Sequence, residues 1–139
     1  MTLRHTTRFT VEFGDCDPAQ IVFYPNFLKW IDSATRHLFA AAGVPAWSKL
    51  EAESGIIGTP LVEVSVRFVR PATYGDEIAV ESWIEEWRAR SFVVKHVIRR
   101  GADVLVEGQE TRVFARRHPD DPARIEAVAP PEEIRRRLG

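Results

Sequence analysis

Pro25-Asn26-Phe27-Leu28-Lys29-Trp30-Ile31-Asp32-Ser33-Ala34-Thr35-Arg36-His37-Leu38-Phe39-Ala40-Ala41-Ala42 is the stretch on which the fold turns. Phe27, Ile31, Ala34, Leu38 and Ala41 recur at intervals of four, three, four and three, which is one apolar stripe of an α-helix. Proline in the first turn and Gly43 with Pro45 beyond the last are the expected start and stop signals. A helix over 25–42 makes about five turns, long for a small chain. Ala34, Ala40, Ala41 and Ala42 keep its flank thin, so a neighbour can approach closely.

Outward from this helix the pattern changes period. Before it, Leu3 to Phe13 alternates, with Thr7, Phe9, Val11 and Phe13 on one face and Arg8, Thr10 and Glu12 on the other, as in a half-buried strand. Gly14-Asp15-Cys16-Asp17-Pro18 breaks that strand. After a loop, Val62, Val64, Val66 and Phe68 alternate with Glu63, Ser65 and Arg67. Pro71 and Gly75-Asp76 mark a turn, Glu77 to Trp87 and Phe92 to Arg100 are two strands joined by Arg88-Ala89-Arg90-Ser91, and Gly101-Ala102-Asp103 is a hairpin turn. Val104 to Arg116 reads as a further strand, His118 to Pro122 as a loop, Ile125 to Val128 as a short strand and Pro130 to Leu138 as a terminal helix. Strand, long helix, then four or five antiparallel strands leaves the helix one place to bury its apolar stripe: the sheet they form together. The fold class is therefore α+β, an antiparallel sheet wrapped around one long helix, the hotdog architecture. Residues 1–139 are read as a single domain, without repeat, linker or low-complexity segment. An open sheet leaves an edge, and pairing edges between copies predicts a homodimer or homotetramer.

The composition narrows the function. The formal net charge is −1, from 19 basic and 20 acidic residues, which argues against a bulk electrostatic partner such as nucleic acid. No apolar run approaches the ~20 residues of a membrane helix, so no membrane partner is expected. Met1 to Thr10 is polar and alternating, unlike a signal peptide, and the single Cys16 cannot form an intrachain disulfide; both predict a cytoplasmic protein. Only Lys29, Lys49 and Lys95 are lysines; the other basic residues are arginines, suited to bidentate phosphate or carboxylate recognition.

The chain has no G-x-S-x-G elbow, no P-loop and no G-x-G-x-x-G. His5, His37, His96 and His118 are scattered without ligand spacing, and one cysteine cannot build a zinc site, so no metal site is expected. The remaining chemistry lies in residues 14–27, where Asp15 and Asp17 precede the long helix. A helix N-terminus offers unpaired N–H groups and partial positive charge, which can hold an oxyanion. A carboxylate facing that spot can attack an acyl carbon or activate water. The same two aspartates also suit plain turn and capping roles.

The stretch Glu12-Phe13-Gly14-Asp15-Cys16-Asp17-Pro18-Ala19, with Ile21-Val22, Pro25-Asn26 and Trp30-x-Asp32, resembles the signature of the 4-hydroxybenzoyl-CoA thioesterase family of hotdog proteins. The likeness continues through Gly43-Val44-Pro45-Ala46-Trp47, Gly55-Ile56-Ile57-Gly58-Thr59-Pro60, Trp87-Arg88-Ala89-Arg90-Ser91-Phe92 and Arg112-Val113-Phe114-Ala115, and so covers nearly the whole chain. Two positions depart from the family: Gln20 stands where glycine is usual, and Ala89 where a basic residue is common.

The resemblance implies hydrolysis of an acyl-CoA thioester, aromatic in its acyl part and most simply 4-hydroxybenzoyl-CoA or a benzoyl analogue. Coenzyme A belongs to the substrate, and no cofactor is implied. It assigns Asp17 as the catalytic carboxylate and the Tyr24 backbone N–H as the donor to the thioester carbonyl. Asp32, Trp47 and Thr59 would lie near the acyl group, and Arg88, Arg90 and Ser91 would contact the coenzyme A nucleotide. Plainer roles stand beside these: an Asp32–Arg36 pair on a helix surface, Trp47 as a loop anchor, and Arg88 and Arg90 as a solvated turn. A short- or medium-chain acyl-CoA thioesterase and a non-catalytic acyl-CoA binding module are the alternatives on the same fold. A hotdog dehydratase would want a histidine near the helix start, and His37 lies about three turns along.

Overall fold

The computed structural model describes every residue from Met1 to Gly139. The elements run β1 (Arg4–Thr10), α1 (Pro25–Ala41), α2 (Trp47–Ser54), β2 (Ile56–Gly58), β3 (Leu61–Phe68), β4 (Glu77–Trp87), β5 (Phe92–Arg100), β6 (Asp103–Arg112), β7 (Phe114–His118), β8 (Asp121–Val128) and α3 (Glu132–Leu138). Five strands form one antiparallel sheet in the order β1-β4-β5-β6-β3, and β2-β7-β8 form a second. The long helix lies against the larger sheet, so the hotdog architecture expected from the element order is the one found.

The helix starts at Pro25 and passes at Ala42 into Gly43, whose φ of 79° only glycine adopts readily. Phe27, Ile31, Ala34 and Leu38 are buried as their spacing requires, but Ala41 is exposed. Trp30, Thr35 and Phe39 widen the buried face. One residue sets how close helix and sheet can come: a Cβ on Gly108 of β6 would sit 2.7 Å from Ile31 Cδ1.

Several boundaries differ from the sequence expectation. Residues 104–116 are two strands, because the backbone leaves the β3–β6 ladder after Arg112 and Val113 N–H donates instead to Pro60 O at 3.2 Å. The second strand turns tightly into β8, so the supposed loop His118–Pro122 is mostly strand and the last strand starts at Asp121. Helix α2 and strand β2 fall in what reads as loop. α2 buries only Leu50, so its apolar periodicity is faint; it ends at Gly55 in a left-handed cap, φ 80°.

The inner face of the sheet divides into two apolar clusters. Ile31 and Ala34 of α1 pack with Ile78, Val80, Ile98, Leu105 and Val106. Leu38 and Phe39 pack with Ile84, Phe92, Val94, Phe114 and Leu138. Between them runs a polar belt of Thr35, Ser82, His96, Glu110 and Arg112, none more than 6% exposed.

Candidate functional site

A turn of 3-10 helix over Phe13–Asp15 carries the chain from β1 into the aspartate loop. Asp15 closes it: its Oδ2 accepts the Glu12 N–H at 2.8 Å. Asp17 sits at the tip of the hairpin that follows, where Cys16 bridges Val22 and Asp17 N–H donates to Ile21 O at 3.0 Å. Its Oδ1 accepts the Ala19 N–H at 2.8 Å. The side chain is half-buried and lines a cavity of about 500 Å³ with Phe13, Cys16, Pro18, Gln20 and Tyr74. Gln20 takes a φ of 68° without being glycine, and its carbonyl accepts the Thr73 hydroxyl at 2.7 Å. Gln20 thus adopts, with a Cβ, a backbone conformation that glycine takes more readily.

The returning arm of the hairpin leads into Tyr24, just ahead of Pro25 at the start of α1. Phe23 N–H donates to Asp15 O and Asn26 N–H to Phe23 O, but Tyr24 N–H donates to no group of the chain. It is therefore free for a substrate oxygen at a helix N-terminus. The exposed Tyr24 ring packs edge-on against Phe23 and Phe68.

Asp32, Trp47 and Thr59 come together around a second cavity, of about 210 Å³, lined also by Thr35, Arg36, Phe39 and Arg112. Asp32 does not pair with Arg36. It accepts from Arg112 Nη2 at 2.6 Å, and Arg36 instead lies 5.7 Å from the Trp47 ring. Trp47 opens α2 and packs edge-on against Phe39. The Thr59 carbonyl accepts from Arg112 Nη1 at 2.8 Å. Arg112 also donates through Nη2 to Glu110. Burial alone would raise the Glu110 carboxyl, but hydrogen bonds from His96 and Arg112 and the Arg112 charge outweigh it and hold the group below its ordinary value. Burial likewise opposes the Arg112 charge, and Glu110 with Asp32 more than restores it. Sequence reasoning missed Arg112 as a wall of this cavity and Glu110 as the buried partner behind it. Their signal was two charges two residues apart in a strand, Glu110-x-Arg112, which places both on the inner face.

Arg88, Arg90 and Ser91 form the β4–β5 turn, closed by Arg88 N–H to Ser91 O at 2.8 Å. Both arginines are exposed, and Arg88 is tied to Glu86 at 2.8 Å. Within one chain the three groups do not meet. Asp17 lies beside Thr73 and Tyr74, near the start of β4, while Arg88 follows the end of that 11-residue strand, about 35 Å away at strand rise. Tyr24 and Asp32 are eight residues apart on one helix, about 12 Å along its axis, which is longer than one hydroxybenzoyl group.

An antiparallel sheet around one helix, with a carboxylate loop at the helix start and a polar-ended cavity on the helix flank, defines a class of hotdog proteins. Residues 11–138 match the thioesterase-like superfamily, and the chain belongs to that family. It is 41% identical over 133 residues to 4-hydroxybenzoyl-CoA thioesterase of Pseudomonas sp. (strain CBS-3), covering 92% of each sequence. Its fold matches an aspartate-to-asparagine mutant of 4-hydroxybenzoyl CoA thioesterase complexed with 4-hydroxybenzoyl CoA, with a TM-score of 0.90, 37% identity, and 98% and 99% of the two chains covered. It also matches the gentisyl-coenzyme A thioesterase BH1999, with a TM-score of 0.79, 30% identity, and 96% and 98% covered.

Proposed function

We propose that this chain is a thioesterase that hydrolyses aromatic acyl-CoA, 4-hydroxybenzoyl-CoA or a close analogue, to the free acid and coenzyme A. The observation that carries the reading is the junction of Asp17 with the start of α1. There a half-buried carboxylate, whose Oδ2 receives no hydrogen bond from the chain, stands in the hairpin that leads to the unpaired Tyr24 N–H. The N–H polarises the thioester carbonyl and stabilises the oxyanion as it forms. Asp17 attacks that carbon, giving a mixed anhydride that water then hydrolyses, or takes the proton of the attacking water directly; in either course coenzyme A departs as a thiolate. The reaction so written uses water and the acyl-CoA alone.

In this reading the acyl ring enters the cavity of Asp32, Trp47 and Thr59, and Arg88, Arg90 and Ser91 take the nucleotide phosphates. Tyr24 and Asp32 lie about 12 Å apart along one helix, and in this reading the substrate takes the two from different copies. A second copy supplies the missing half, and the active protein is a homodimer or a tetramer of such pairs. The unpaired outer strand β3 supports this: Leu61, Val62, Val64 and Phe68 are all exposed along it. A cytoplasmic setting belongs to the same reading, supported by a chain whose single cysteine packs against the core.

The test is hydrolysis of a panel of aryl- and alkyl-CoAs, followed by thiol release, with wild type, Asp17→Asn and Asp15→Asn. Asp17→Asn is expected to lower kcat about 10²–10⁴-fold while the protein stays folded. Asp15→Asn is expected to lose far less. Near-full turnover by Asp17→Asn would remove the carboxylate from the mechanism, and acyl-CoA binding without turnover by wild type would favour a binding module.

A further inference from the structure

The polar belt through the core has an end, and the end is at the acyl cavity. Ser82 Oγ lies 2.7 Å from His96 Nδ1, and His96 Nε2 lies 2.8 Å from Glu110 Oε1. Thr35 of α1 donates its hydroxyl to the same Glu110 oxygen. Glu110 Oε2 accepts from Arg112, and Arg112 reaches Asp32. Four elements contribute: α1, β4, β5 and β6. The His96 ring thus bridges Ser82 and Glu110 through its two nitrogens, and Glu110 accepts from Thr35 and Arg112 as well.

Such a belt is a poor way to gain stability. Well-packed apolar residues in place of a buried ion pair are often neutral or stabilising. The belt also interrupts what would be one continuous apolar core. What it delivers is a guanidinium fixed on three sides. Glu110 and the Thr59 carbonyl anchor Arg112 from below, its side chain is 8% exposed, and the remaining face holds Asp32, whose side chain is 70% exposed. Arg112 Nε–H is buried without an acceptor, on a residue that lines the cavity.

We propose that Arg112 is a positioning residue that sets acyl selectivity: anchored by the Glu110–His96–Ser82 belt, it clamps the Asp32 carboxylate as a fixed acceptor at the end of the acyl cavity. The clamp selects acyl rings carrying a hydrogen-bond donor, such as a hydroxyl or amino group, over rings with hydrogen or methoxy there. Arg112 occupies Asp32 Oδ1, and Oδ2 receives no hydrogen bond from the chain, so a ring donor has an acceptor waiting. A methoxy oxygen would face a carboxylate with nothing to donate. The inference rests on the aromatic acyl-CoA reading and deepens it at the far end of the substrate.

The experiment measures kcat and KM for 4-hydroxybenzoyl-CoA, benzoyl-CoA and 4-methoxybenzoyl-CoA with wild type, Asp32→Asn, Arg112→Lys and Arg112→Met. Wild type is expected to prefer the hydroxy substrate by roughly 5–150-fold in kcat/KM, since an acceptor left unpaired is penalised. Arg112→Met is expected to reduce that ratio to within a few-fold of one, mainly through KM for the hydroxy substrate, and Arg112→Lys to restore part of it. Asp32→Asn lies at an exposed side chain and is expected to fold normally and to lose the same preference. In the Asp32→Asn background, Arg112→Lys is expected to change the ratio no further. The proposal is overturned if the Arg112 variants slow all three substrates equally, or if Asp32→Asn keeps the wild-type ratio. A wild type that hydrolyses only alkyl-CoAs would overturn the aromatic reading itself, a result separate from an unchanged ratio in the variants.

Discussion

At the scale of single residues, the loop ahead of α1 tolerates a strained position. Gln20 has a φ of 68°, a region in which a Cβ crowds the following carbonyl by roughly 1–2 kcal/mol. The Thr73 hydroxyl on its carbonyl and the Gln20 N–H to Asp17 O bond at 2.8 Å hold it there. Gln20→Gly removes the strain but gives the unfolded chain more freedom, so thermal or urea unfolding is expected to show a net gain of at most about 1 kcal/mol. A clear loss of stability would mean that the glutamine side chain contributes more than its backbone conformation costs. This loop was largely legible in the sequence, because turn-forming residues and a proline at the helix start act locally. Asp15 and Asp17 could not be separated by chemistry alone. Only the fold makes one an acceptor for Glu12 N–H and leaves the other beside a cavity.

At the scale of elements, legibility follows periodicity. Helix α1 and strands β4 and β5 carry strong patterns and lie where the sequence puts them. Helix α2 has one buried residue, and the β6–β7 break depends on a long-range bond from Val113 to Pro60, so neither had a local signal. The polar belt was hidden for the same reason: His96, Glu110 and Arg112 are three polar side chains on strands until α1 covers them. Two outcomes are expected from this layer. Gly108→Ala drives a methyl into Ile31 Cδ1 at 2.7 Å, which is expected to lower unfolding stability by about 1–3 kcal/mol as helix and sheet are forced apart. An unchanged midpoint would mean that Ile31 has a second rotamer available. Glu110 supplies a pH dependence. Its folded-state carboxyl is held below its ordinary value, so its stabilisation is complete above the unfolded carboxylate range, about 4.3, and is lost as pH falls from there through the folded value. Glu110→Gln is expected to cost about 3–5 kcal/mol near neutral pH, since it leaves Arg112 underpaired, and to flatten the acid limb of the stability curve. Asp76, Glu81, Glu126 and Glu133 are also held low and titrate in both proteins, so the difference between the two curves isolates Glu110. Parallel acid limbs would show that Glu110 titrates alike in the folded and the unfolded chain, so that the folded carboxyl is not held low.

At the scale of the whole molecule, the distribution of apolar surface bears on how the proposed site is completed. The two outer strands of the larger sheet are unlike. Exposed positions on β1 are Arg4, Thr6, Arg8 and Thr10, with no large apolar side chain, while β3 exposes Leu61, Val62, Val64 and Phe68 alongside Glu63, Ser65 and Arg67. Apolar side chains on an edge strand invite pairing, so β3 is the edge on which a second copy is expected to dock. The same strand ends at Phe68, which touches Tyr24 and Phe27 at the start of α1. A partner docked along β3 therefore arrives next to the junction of Asp17 and Tyr24, where it can bring its own acyl cavity in place of the one about 12 Å along the same helix. Val62 is 64% exposed, so Val62→Lys is expected to leave the fold of the single chain intact while placing a charge in the contact. Light scattering is expected to give a dimer or tetramer for wild type and a single-chain mass for Val62→Lys, with thioesterase activity lost in proportion to dissociation. Raising the variant's concentration is expected to recover activity, because association is then favoured by mass action. A monomeric Val62→Lys with full activity at every concentration would mean that the Asp17 loop and the Asp32 cavity of one chain serve the same substrate molecule after all.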